Sequence, residues 1–173
     1  MMLFSSKPED AVDKLKADHD AVEELVDRIG KAAPAEARRL GIRMCNMLKI
    51  HMTLEEELFY PALRQAGGKK DKLDEGIVEH DTAKILVNDI LDAGNTKDAI
   101  VAKLQVLGEQ MVHHQDEEEE RGGIFDQARE SELDLEAMLE RMLAREAELR
   151  AELKEDDALP VAEPSKIDLS ASE

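Results

Sequence analysis

The stretch HMTLEEELFYP, residues 51–61, decides the fold. His51 and Glu55 are four residues apart, so on a helix they lie one above the other on a single face. Leu40, Met44 and Met47 lead up to His51 at the three-and-four spacing of a buried seam, and Leu54 and Leu58 continue it. A histidine and a carboxylate therefore stand in an apolar stripe. Working outward, three further stripes carry a histidine in the same way. Val12, Leu15, His19, Val22, Val26 and Ile29 form the first; Leu73, Ile77, His80, Lys84, Val87 and Leu91 form the third; Ile100, Leu104, Leu107, Met111, His114 and Glu118 form the fourth. The chain has only five histidines in 173 residues, and four of them occupy inward positions on four different helices.

A single histidine on an apolar face is usually a hydrogen-bonded core residue. Glu55 and Glu118 change that reading, because a buried carboxylate costs several kcal/mol unless a counter-charge neutralises it. Bound cations supply the counter-charge. The candidate ligands His19, His51, Glu55, His80, His114 and Glu118 outnumber the set one zinc takes, and mixed imidazole and carboxylate ligands inside a four-helix bundle are the arrangement of di-iron and di-manganese sites. The residues thus point to a dinuclear metal centre.

Register separates the neighbouring histidines. His114 continues the fourth stripe, whereas His113 is rotated from it by about 100°. The acidic run from Asp116 to Glu120 reads as a solvated face from which only Glu118 turns inward. Glu56, beside a ligand, is placed to orient a histidine N–H. Tyr60 reads first as a packing residue, with a hydrogen bond near the site as the alternative. Met44, Met47, Met111, Met138 and Met142 are core filler, and Cys45 is a small buried core residue with no partner for a disulfide.

The local punctuation predicts element boundaries. Ser6 to Glu9 reads as a capping box for helix one, which Gly30 ends; Pro34 suits the first turn of helix two, and Gly67-Gly68 its close. Pro61 predicts a kink just after the Glu55 turn. Gly94-Asn95 separates helices three and four, and Gly122-Gly123 closes the fourth. Beyond it Ser131 reads as the N-cap of an amphipathic helix carrying Leu135, Met138, Leu139, Met142, Leu149 and Leu153. The expected organisation is an all-α four-helix bundle over residues 1–127, an additional C-terminal helix over 128–155, and an acidic mobile tail over 156–173.

Forty-one acidic residues against 23 basic ones give a net charge of −18, which argues against nucleic acid phosphates or an anionic membrane surface as partners. A protein partner should present basic surface. With 2% aromatic residues there is no base-stacking platform. Met1 to Phe4 is too short for a signal-peptide core and no apolar run approaches a membrane span, so the expected location is cytoplasmic.

The order of His19 in ADHDAV, His51 and Glu55 in HMTLEEELFYP, His80 in EHD, and His114 and Glu118 in HHQDEEEE resembles the hemerythrin-like HHE cation-binding domain, over about residues 10 to 127. The resemblance implies an up-down four-helix bundle that holds two non-haem iron ions, bridged by Glu55 and Glu118 with the histidines as terminal ligands. Lys84 stands where oxygen-carrying members have a further histidine. Fewer protein ligands leave positions for water, dioxygen, another diatomic or peroxide, which favours reactivity or sensing over carriage. The expected function is a redox or oxygen sensor acting on a signalling partner, in which the additional helix buries its apolar face on the bundle, on a partner or on a redox-dependent second copy. A di-iron oxidoreductase that removes peroxide or nitric oxide, or a carrier of oxygen or iron, is the alternative.

Overall fold

The computed structural model describes residues 7–91 and 97–152. In chain order it contains α1 (Ala11–Lys31), α2 (Pro34–Leu54), one π-helical turn (Glu55–Phe59), α3 (Tyr60–Gln65), α4 (Lys70–Leu91), α5 (Lys97–Glu119), α6 (Ile124–Glu130) and α7 (Leu135–Glu152). The described residues include no strand. The long helices form the bundle, with α1 packed on α2 and α5, and α4 packed on α5 and α2.

The apolar stripes explain why this bundle has two cores. Val12 and Leu15 of α1, Leu54 of α2 and Leu73 of α4 belong to one cluster, together with Phe59, Tyr60 and Phe125. Val22 and Ile29, Met44 and Leu48, Val87, and Leu104 and Met111 belong to the other. Along α1, α2 and α4 the change from one cluster to the other falls near the histidine. Helices α1 and α4 run from the first cluster to the second, and α2 runs from the second to the first, as α5 does where it leads on to Ile124; this is the up-down order expected from the sequence. A polar layer thus divides an otherwise dry interior.

Several boundary signals hold, and the exceptions have local causes. Pro34 occupies the first turn of α2, Gly67 (φ 93°) follows α3, and Gly122 (φ 79°) follows α5. Helix α1 is capped by Asp10, whose side chain accepts the Asp13 N–H at 2.9 Å; Ser6, the first residue of the expected capping box, lies outside the described residues. Gly30 lies within the last turn of α1, which runs on to Lys31. The expected kink at Pro61 is replaced by the π turn, in which Tyr60 N–H reaches back five residues to Glu55 O. The wider turn lets Pro61 fall at the start of α3, where its missing N–H has no helical partner to lose.

Ser131 closes α6, a short helix with no counterpart in the expectations, and Asp134 caps α7 by accepting the Ala137 N–H at 2.9 Å. Helix α7 packs on α1, α2 and the π turn, burying Met138, Met142 and Leu149 in the first core. Gly94-Asn95 and the tail 156–173 lie outside the described residues. No described helix is long and apolar enough to cross a membrane.

Candidate metal centre

The polar layer brings the six sequence-derived residues into one closed ring. His19 Nε2 and His51 Nε2 are 3.2 Å apart, and His80 Nε2 and His114 Nε2 are 3.0 Å apart. Glu55 Oε2 lies 3.2 Å from His51 Nε2 and 3.3 Å from His80 Nε2. Glu118 Oε2 lies 3.4 Å from His19 Nε2 and 3.5 Å from His114 Nε2. Each carboxylate therefore ties one histidine of the first pair to one of the second. None of the six is more than 2% exposed. Their ligand atoms fall into two overlapping groups, His19, His51, Glu55 and Glu118, and Glu55, His80 and His114.

Outside the ring, a second layer of acids orients the imidazoles. His19 Nδ1 donates to Glu119 at 2.7 Å, His80 Nδ1 to Glu56 at 3.0 Å, and His114 Nδ1 to Glu79 at 2.6 Å; Asp18 stands 3.5 Å from His51 Nδ1. The arrangement has an approximate twofold relation. Glu56 and Glu119 each directly follow a ring carboxylate and hold the histidine of α4 or α1; Asp18 and Glu79 each directly precede that histidine and face the one on α2 or α5. Of these four, sequence reading singled out only Glu56. Glu119 stood in the acidic run that reads as a solvated face, and Asp18 and Glu79 were not singled out, although their positions next to ring residues were a usable signal.

This geometry suits metal ions. An imidazole that donates its Nδ1–H to an acid presents the Nε2 lone pair inward, and paired lone pairs 3.0 to 3.2 Å apart repel unless a cation or proton lies between them. Both oxygens of Glu55 and Oε2 of Glu118 are buried without a hydrogen bond. An orphaned ionised carboxylate in a dry core is strongly unfavourable, and a dication removes the penalty. With protons alone as counter-charge, burial lowers the His19 pKa but the neighbouring carboxylates Glu118 and Glu119 outweigh it and lift it to about 9. His80 is likewise lifted to about 9, burial being outweighed by Glu55 and Glu56. Glu118 is held far below the carboxylate range, its burial outweighed by the nearby His114 and His19.

Tyr60 does more than pack. Its hydroxyl donates to Glu118 Oε1 at 2.6 Å, and its ring stacks on His80 with centroids 5.7 Å apart. Phe125 stacks on His19 at 5.3 Å on the opposite side. Burial and the nearby charges of Glu118 and Glu55 push the tyrosine pKa well above 10, so the hydroxyl keeps its proton. Lys84 reaches Glu56 at 2.7 Å and Asp81 at 3.3 Å, so its ammonium turns onto acids while staying inside the protein. His113 is 70% exposed and points out of the bundle, as its register requires. Cys45 is fully buried among apolar residues, which lifts its thiol to about 12.

Fold and ring together define an all-α bundle whose interior is a histidine and carboxylate cation site. The chain belongs to the hemerythrin family: residues 10–121 match the hemerythrin HHE cation-binding domain. It is accordingly a metal-binding domain, of a kind that typically takes iron. No match was found among curated proteins or among solved structures.

Proposed function

We propose that the bundle, residues 1–127, holds two iron ions through His19, His51, Glu55, His80, His114 and Glu118, and that the protein reports oxygen or redox state to a partner through α7. Bound there, iron supplies a one-electron redox couple and positions for a small ligand such as dioxygen. The chain's own part is to convert a change of charge in the ring into a change of packing.

One observation carries this reading. Lys14, 6% exposed, places its ammonium 2.5 Å from Asp18 and 3.0 Å from Glu146. Asp18 faces His51 across 3.5 Å, so an ionic path runs from the ring through α1 to α7. Arg145 adds a second tie, bonding Glu57 in the π turn at 2.7 Å. Helix α7 is thus fastened to the segments that carry His19, His51 and Glu55. A change in the charge at His51 alters the hold of Asp18 on Lys14, and Lys14 is shared with Glu146.

The deciding measurement is amide hydrogen exchange of α7 in iron-loaded protein, reduced and oxidised. The two states should differ in α7, and Lys14→Met should erase the difference while both ions remain. Equal exchange in both states of the wild type removes the sensor reading. The released face, on an acidic cytoplasmic protein, suits a partner with basic surface or a second copy. A narrow cleft that reaches His114 and Glu118 favours a second reading, a di-iron oxidoreductase acting on peroxide or nitric oxide. Many turnovers per centre with either substrate would establish it.

A further inference from the structure

Between α4 and α5 that cleft runs from exposed to buried acids. Glu75, Glu79 and Glu117 line its outer part, and His114 and Glu118 its inner end. Lys72, on its wall, is bonded to Glu75 at 3.1 Å. Two of the outer lining acids, Glu79 and Glu117, together with the exposed His113, bring three ligand atoms within 4.8 Å of one another. Two carboxylates and an imidazole are a ligand set for divalent transition ions. His113, which helical register turns away from the ring, belongs to this outer trio.

Glu79 links the two levels. It is one of the outer trio, and its Oε2 accepts from His114 Nδ1 at 2.6 Å. Glu118, at the inner end, is 2% exposed and its Oε2 has no hydrogen-bond partner. An ion moving inward from Glu117 past Glu79 meets at each step a carboxylate more deeply buried than the last. A lined cleft of one sign of charge concentrates counter-ions and speeds their capture.

We propose that Glu79, His113 and Glu117 form a third, outer site for a divalent transition ion, which captures the ion and passes it through the cleft to the ring. The proposal rests on the reading of the ring as a metal centre, and the experiment separates the two. The full chain, stripped of metal, is titrated with Co2+ and its visible bands are followed by stopped flow. Wild type should take three equivalents, the third weakly. His113→Ala and Glu117→Gln, both at the surface, should each lose the third equivalent, keep two, and fill those two about tenfold or more slowly. Two equivalents in the wild type, or variants that lose the third but fill the ring at the wild-type rate, overturn the outer site and its delivery role while leaving the ring intact. Failure of the wild type to bind any cobalt would overturn the ring reading instead, and the outer site with it.

Discussion

On one side of the ring His19 lies against the Phe125 ring and donates to Glu119; on the other His80 lies against the Tyr60 ring and donates to Glu56. The two halves share one construction and are finished differently. Tyr60 carries a hydroxyl and uses it across the ring, on Glu118, whereas Phe125 has nothing to offer Glu55. Glu55 is left with both oxygens unpartnered and Glu118 with one. Glu56 is held by a buried lysine, Lys84, and Glu119 by a half-exposed one, Lys16. The shared plan gives the ring two similar halves, and the differences give those halves unequal surroundings.

Removing a shared carboxylate should break both halves at once. Glu55→Ala takes a ligand atom from each group of the ring, so at least one of two ions should be lost on metal analysis while the helical content stays. Full retention of both ions removes Glu55 from the assignment. The outer acids test the twofold relation more gently. Loss of an acid that orients a ligating histidine lowers metal affinity by about 10- to 100-fold. Glu119→Ala and Glu56→Ala should both fall in that range. The Glu56 variant should fall further, since it also strips a buried ammonium of an acid. Equal affinities would mean that Lys84 does not distinguish the halves.

Tyr60→Phe makes the aromatic positions alike. It removes one hydrogen bond to a buried charge, worth about 1.5 to 3 kcal/mol. The affinity for one ion should drop by about tenfold, with the other ion little changed. A uniform loss at both positions would show that the hydroxyl stabilises the bundle as a whole. Gly76→Ala offers an independent check, since a Cβ there would stand 2.9 Å from the Tyr60 hydroxyl and displace it.

How much of this could be read in advance follows from where each signal lives. The four histidines and two ring acids were legible because helical period is local: a buried residue at position 51 marks 54, 55 and 58 as neighbours, and the same rule separates His114 from His113. The up-down order came with the family resemblance, since the stripes show which face of each helix is buried and not which way neighbouring helices run. The hydroxyl of Tyr60 on Glu118 was open because it spans 58 residues and no local pattern encodes it. The π turn replaced a kink because Pro61 states only that a bond is missing, not how the backbone absorbs the loss. Ser131 was misread since a serine suits either end of a helix boundary, and three residues on Asp134 was the stronger cap. Lys14 was not singled out, because its tie to α7 joins residues far apart in the chain and no local pattern encodes it.

The smallest difference between the halves is expected in proton binding. His19 and His80 are both lifted from an ordinary value of 6.5 to about 9, each with burial opposing and two carboxylates prevailing. A histidine whose pKa is higher in the folded chain stabilises the fold fully below pH 6.5, and that contribution is lost as pH rises through about 9. Asp18, Glu79, Glu118 and Glu119 are shifted down by hydrogen bonds and ion pairs with the histidines. Their contribution is present above the ordinary carboxylate values and is lost as pH falls below them. The chelated chain should therefore be most stable between these limits and should melt progressively lower from pH 6.5 to 9. Metal ions displace the histidine protons, so iron or cobalt should bind more tightly over the same rise in pH and offset the loss. Thermal melts of chelated and loaded protein across that range measure both slopes. Histidine NMR of the chelated chain should place His19 and His80 within about one pKa unit of each other. A melting temperature that rises with pH in the chelated protein would show that its ring histidines are neutral, and a wide gap between the two titrations would show that the approximate twofold relation does not extend to charge.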